Sequence, residues 1–296
     1  MKSRSSLALK ATSNRDADFV LEPIFWSVLL PGLCAGVLVA CGLLPRGLSG
    51  LRVWRRSVIA LALGGAAAGS FLGSVGMPSW PPAQKWHAVF ALVLAFIAIG
   101  ILDAWPKRGD WASRALLGLG AGALTWWLLA LPGQTPMAAA SGVVVCVWLI
   151  SMLDGQRASV AMPIGGWAAA TAVSLLTLVT GSTSLALMAG AIAVVCGVLI
   201  VIGAVPGRVV SGGGAMLGGC LAVLALAAMA YDYGSVPTWS WMLAMAGFPL
   251  ASLFEIGRLG QWEHISGTIT RSLLLLAPPI VSVWMNFEQI RESLSA

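Results

Sequence analysis

Ten apolar stretches follow one another with hardly a break from Phe25 to Trp284, each about as long as a bilayer's hydrocarbon core is thick. A core of about 30 Å takes roughly 20 apolar residues per helical crossing. A chain of 296 residues here spends nearly all of its length meeting that demand. Only 9% of the residues are charged, where a soluble domain carries about a quarter. A large buried core does not explain the deficit, because a soluble chain must still cover its surface. Lipid as the main solvent explains it directly. The fold class this dictates is all-α: a polytopic membrane helix bundle of about 10 transmembrane helices.

The expected spans are Phe25–Leu44, Ser57–Gly76, Trp86–Leu102, Ala115–Leu131, Pro136–Leu153, Ala158–Val179, Ser184–Val205, Met216–Tyr231, Trp239–Ile256 and Thr268–Trp284. Pro45-Arg46-Gly47, Pro132-Gly133-Gln134, Asp154-Gly155-Gln156 and Pro206-Gly207-Arg208 separate them, combining helix breakers with polar residues. Residues 1–24 read as a short polar N-terminal tail, 25–284 as a single transmembrane helical domain, and 285–296 as a short C-terminal tail. Several links are so short that consecutive helices must be antiparallel neighbours.

The net charge of +6 could suggest a nucleic-acid binder, but the basic residues sit in short loops between apolar runs. Arg46, Arg52, Arg55 and Arg56, then Lys107, Arg108 and Arg114, then Arg157, Arg208 and Arg258 fall in one set of loops; the alternate set holds only Lys85. That asymmetry is the mark of a cytoplasmic membrane face. It points to the lipid bilayer as partner, to no nucleic acid, and to a bacterial cytoplasmic (inner) membrane with both termini outside. Trp26, Trp80, Trp86, Trp239, Trp241 and Trp284 would then mark the outer interface, and Trp54, Trp105, Trp111 and Trp262 the inner one. An indole with one polar N–H prefers that boundary. Trp148 and Trp167 fall nearer mid-membrane and read as packing residues.

No pattern of chemistry stands out. The five cysteines (Cys34, Cys41, Cys146, Cys196, Cys220) all lie inside apolar runs, form no CxxC pair and are odd in number. They read as small packing side chains, not as disulfides or zinc ligands. Leu38-Val39-Ala40-Cys41 resembles a lipoprotein cleavage pattern, but Asp16, Asp18 and Glu22 stand where such a signal wants positive charge. His87 and His264 fall on opposite faces of the threading and cannot share a metal or a proton. No HExxH, paired aspartates or nucleophile–histidine pairing appears, and Ser211-Gly212-Gly213-Gly214 lacks the ending of a phosphate loop. Neither a catalytic residue, a cofactor nor a metal is expected, which weakens every enzyme reading.

Two groups of residues remain as site candidates. The first is a solute path: Thr171, Ser174 and Thr177 recur at about one helical turn on the sixth span, below a break expected at Pro163. Pro278-Pro279 disturbs the tenth span, where Ser272 and Ser282 could compensate the lost ladder bonds. Hydroxyls in apolar helices mostly bond back to the preceding turn or to a neighbour; lining a path for a weakly polar solute is the sharper reading. The second is an inner vestibule of acids: Asp103, Asp154 and Glu255 end three spans on the cytoplasmic side. Lys107, Arg157 and Arg258 follow them within a turn, so interfacial ion pairs are the plainer reading. Glycines four residues apart (Gly32/Gly36, Gly65/Gly69/Gly73, Gly118/Gly122, Gly214/Gly218) would let backbones approach closely.

Segments opening the first and sixth spans (Ser27-Val28-Leu29-Leu30-Pro31-Gly32 and Ser159-Val160-Ala161-Met162-Pro163-Ile164) resemble each other, as do Val145–Trp148 and Val281–Trp284. They suggest two inverted five-helix halves, 25–153 and 158–284. In size and span number the chain resembles the ten-helix drug/metabolite transporter group, which is built that way. The resemblance covers gross architecture, no motif matches residue by residue, and the outward termini depart from that group's usual inward ones. The expectation is a permease for a small neutral or amphipathic solute. The alternative is a non-catalytic membrane scaffold or anchoring subunit of a larger complex, and a lipid-modifying membrane enzyme comes third.

Overall fold

A computed structural model describes residues 25–43, 51–78, 85–102, 116, 119, 120, 123, 161–204, 213–234, 236–248, 250–251 and 265–295. Among the described residues every regular element is helical and none is a strand. A π-helical turn, Phe25–Leu29, leads into α1 (Leu30–Leu43). Then come α2 (Leu51–Val75), α3 (Lys85–Leu102), α4 (Ala161–Val179), α5 (Thr183–Ala204), α6 (Gly213–Tyr233), α7 (Thr238–Met245), α8 (Ile265–Met285) and α9 (Phe287–Ser295).

Helices occupy eight of the ten expected intervals. The other two, Ala115–Leu131 and Pro136–Leu153, lie outside the described residues apart from four isolated helical positions. Among the described residues, the count of helices long and apolar enough to cross a membrane is smaller than expected. Ser57–Val75, Ala161–Val179 and Thr183–Gly203 qualify, and the pair Ser272–Met285 and Phe287–Ser293, bent by 63°, makes a fourth if taken as one span. Ser27–Val39, Phe90–Leu102 and Gly219–Tyr231 are apolar but shorter. The ninth interval falls short for a different reason: α7 stops after eight residues, and a tight turn at Ala246, whose N–H donates to Leu243 O at 3.2 Å, separates it from the helical residues that follow.

Contacts set the helix directions. Gly181, with φ +77°, ends α4, and Thr180 and Gly181 N–H donate to Thr177 and Leu178 O. Glycine takes this left-handed position without a Cβ clash. The link at once reverses the chain, and α4 and α5 pack along their length in constant antiparallel register: Ser174 against Gly190, Trp167 against Gly197. Conversely, α1 is parallel to α5, since Val28 meets Gly190, Gly32 meets Val194 and Gly36 meets Val198. Helix α2 runs back along α1, with Gly69 against Pro31. It is followed by α3, whose Phe90 ring lies 5.1 Å from Phe71 near the end of α2.

Helix α2 packs against α1, α3, α5 and α6, and α4 against α5, α6, α7, α8 and α9. These two helices form the centre. Their buried faces are rich in small residues, Ala60, Ala62, Ala66 and Ala67 on α2 and Gly165, Gly166, Ala168, Ala169 and Ala170 on α4, set among the buried Ile59, Leu63 and Phe71 of α2 and Val173 and Leu176 of α4. Other large apolar side chains point outward. Along the π-helical turn and α1, Leu29, Leu33 and Val37 are exposed while Gly32, Ala35 and Gly36 face inward. On α8, Leu273, Ile280 and Trp284 form an exposed stripe. Many small residues in the contacts and large apolar ones on the outer surface is how helices pack when the surrounding solvent is itself apolar. In water, such continuous apolar flanks would be a liability.

The closest approach joins α4 to the segment after α7. A methyl on Gly165 would collide with the Gly247 carbonyl oxygen, and one on Gly247 would lie 2.5 Å from the Gly165 oxygen. Neither glycine belongs to the four-residue series picked out in the sequence. Within that series Gly32, Gly36 and Gly69 do face neighbours, whereas Gly65 has nothing within 4 Å.

Candidate functional site

Helix α4 carries the expected hydroxyl row, and α8, which carries the proline pair, packs beside it. Pro163 does not break α4. It is the third residue of a helix that begins at Ala161 and runs without interruption to Val179.

The three hydroxyls have separate settings. Ser174 Oγ donates to Ala186 O of α5 at 2.8 Å, tying the two helices together. Thr177, which has no exposed surface, donates back to Val173 O at 2.6 Å. Thr171 is half-buried. Ser174 and Thr177 thus spend their donors on backbone carbonyls inside the bundle.

Pro278 and Pro279 both lie within α8, which continues past them to Met285. Each keeps the φ of a helix while removing one ladder donor. The break comes later, at Asn286, where the chain bends 63° into α9. Ser282, expected to compensate the prolines, instead donates to Ser240 O of α7 at 2.7 Å.

That bond belongs to a buried polar node that the sequence reading missed. Asn286 Nδ2 donates to Ser240 Oγ at 3.1 Å and to Ser282 O at 2.7 Å. Ser240, Ser282 and Asn286 are all buried. The backbone shows why the asparagine is there. Asn286 N–H turns to Val283 O at 3.2 Å, tightening the last turn of α8 and releasing Ser282 O. The Asn286 side chain takes up that released carbonyl, and Asn286 O then accepts from Ile290 N–H at 3.0 Å to start α9. The only sequence signal was an amide four residues after a serine at the end of an apolar run; Ser240, 42 positions away from Ser282, gave none.

Among the described residues two buried donors lack a partner, Ser70 Oγ on α2 and Trp241 Nε1 on α7. Trp241, expected to mark an interface, is instead packed in the core, whereas Trp239 and Trp284 are exposed. Trp167 is partly exposed and lies over Gly197. Among the described residues Cys34, Cys196 and Cys220 form no disulfide. Asp103, Asp154, Glu255 and His264 lie outside the described residues, as do the side chains of Cys41 and Cys146. Among the described residues no group of three or more His, Cys, Asp or Glu side chains is placed to hold a metal. The chain matches no family model, no curated protein and no solved structure.

Proposed function

We propose that the chain is a multi-pass integral membrane protein with a structural role, a bundle that scaffolds or anchors other membrane components and conducts no solute. The observation that carries this reading is the fate of the α4 row. Ser174 and Thr177 already donate to Ala186 O and Val173 O. A solute leaving water needs replacement partners within the membrane, and these two hydroxyls have no free donor to offer.

Helix directions support the multi-pass threading. Helix α3 ends on the side where α1 ends, and α4, antiparallel to α5 and therefore to α1, begins on that same side. Leu102 and Ala161 therefore lie on one face of the bundle, which agrees with the two apolar runs between them in the sequence, Ala115–Leu131 and Pro136–Leu153. The threading proposed is ten crossings in two halves of five in opposite orientation, with the arginine-rich loops in the cytoplasm and both termini outside. A bacterial cytoplasmic membrane is the setting this charge asymmetry fits.

The second reading, a permease for a small neutral or amphipathic solute, is favoured by Thr171, which is half-buried at the head of the row. Single cysteines at Thr171, Ser174 and Thr177, in a background without the five native cysteines, separate the two. Protection of all three from a small membrane-impermeant thiol reagent is expected of the scaffold. Reaction at Ser174 or Thr177 would show a water-filled path and overturn it.

A further inference from the structure

The C-terminal tail is a built element. Helix α9 leaves α8 at 63°, and that angle is fixed by the Asn286 side chain, which holds both the end of α8 and Ser240 of α7. We propose that α9 is an interfacial helix that lies along the outer lipid headgroup boundary and beds Phe287 in it. This rests on the membrane reading above. If α8 stands near the bilayer normal, the bend lays α9 within about 30° of the membrane plane, the attitude of an amphipathic helix in the interface.

The faces of α9 fit that position. Ile290, 4% exposed, seats the helix on the bundle, and α9 packs against α4. Glu288 and Arg291, paired at 3.9 Å, are 76% and 73% exposed, and Gln289, Glu292 and Ser293 are exposed with them. Phe287, 52% exposed, projects 100° round the helix from Glu288. It continues the exposed apolar surface of Trp284 and Met285 at the end of α8. Water would leave this aromatic side unsatisfied, and the hydrocarbon centre would leave the charged side so. The boundary between them satisfies both.

The level of the membrane surface has an independent marker. The Ser240–Ser282–Asn286 node brings the start of α7 beside the end of α8, so the exposed Trp239 and Trp284 lie at one end of the bundle. Tryptophans gathered at one level are the belt of a membrane–water boundary. Helix α9 begins at that level, three residues after Trp284. Arg291, at 40° from Phe287 on the helical wheel, can lay its stem along the interface with its guanidinium among headgroup phosphates.

Spin labels on single cysteines test this in the full chain, reconstituted into vesicles of phosphatidylcholine and phosphatidylglycerol, with oxygen and a soluble nickel chelate as collision partners. Labels at Ile280 and Phe287 are expected to collide mainly with oxygen, and labels at Glu288 and Glu292 mainly with nickel, with at least a threefold change in the oxygen-to-nickel ratio between 287 and 288. Equal, nickel-dominated values at Phe287 and Glu288 with an oxygen-dominated Ile280 would put α9 in water and overturn the interfacial assignment while leaving the bundle in the membrane. Phe287 shielded from both probes would mean a protein cover and would also overturn it. A nickel-dominated Ile280 would instead refute the membrane reading itself. All four positions are exposed, so the labels replace no packed side chain.

Discussion

Replacing Gly165 with alanine should destabilise the bundle, and replacing Gly65 should not. The new methyl at position 165 would run into the Gly247 carbonyl oxygen, with the Gly247 carbonyl carbon and Ala251 Cβ each 3.0 Å away. The first obstacle is backbone, so no side-chain rotation relieves it. Ordinary contact requires α4 and the 247 segment to separate by about 1 Å, losing dispersion contacts along both. Overpacking of this kind costs about 1–3 kcal/mol, offset by about 0.5–1 kcal/mol because alanine is the better helix former. The expected net loss is roughly 1–2 kcal/mol. At Gly65 nothing lies within 4 Å, so only the helix-forming gain of about 0.5–1 kcal/mol remains. Gly219→Ala should fall between them, because the atom in its way, Leu63 Cδ1 at 2.9 Å, ends a flexible side chain. Unfolding in mixed micelles of rising sodium dodecyl sulfate, followed by tryptophan fluorescence, would give the three midpoints. A Gly165→Ala midpoint equal to or above that of the unaltered protein would refute the backbone contact and the helix arrangement built on it.

Asn286→Ala removes two buried donors at once. With interhelical bonds in membrane proteins averaging about 0.6 kcal/mol and a helix end left uncapped, the expected loss is about 1–2 kcal/mol in the same assay. The α8–α9 angle should also loosen, read as a broadened distance distribution between spin labels at Ile280 and Glu292. Ser70→Ala should raise stability by up to about 1 kcal/mol, since it deletes a fully buried hydroxyl without a partner; a clear loss would mean that Ser70 Oγ holds something it needs.

Hydropathy alone located the described helices. Thr183, where α5 begins, is one residue from the expected Ser184, and α4 ends at the expected Val179. The apolar part of α2, Ser57–Val75, starts at the expected Ser57; the helix itself begins earlier, at Leu51, because a helix can carry Arg52, Arg55 and Arg56 in its first turns outside lipid while an apolar run cannot. Partners were not legible. The spacing of Gly32 and Gly36 announced a close contact but not Val194 and Val198, and Gly65 shows the same spacing with no contact at all. Four-residue periodicity names a helix face; whether another helix lies against it depends on the rest of the chain. The polar node failed for a similar reason: Ser240 and Asn286 are 46 positions apart, and each alone is an ordinary residue near the end of an apolar run. The proline pair misled because loss of two ladder donors was equated with a break, whereas the bend follows from the capping chemistry of Asn286.

The threading itself is tested most directly by the sidedness of its two ends. With the native cysteines removed, one cysteine at Ser295 and another at Arg52 would be exposed to an impermeant maleimide in intact cells and after permeabilisation. The expected result is labelling of position 295 in intact cells and of position 52 only after permeabilisation, with the chain resisting carbonate extraction throughout. Labelling of position 295 only after permeabilisation, or of both positions in intact cells, would contradict the account.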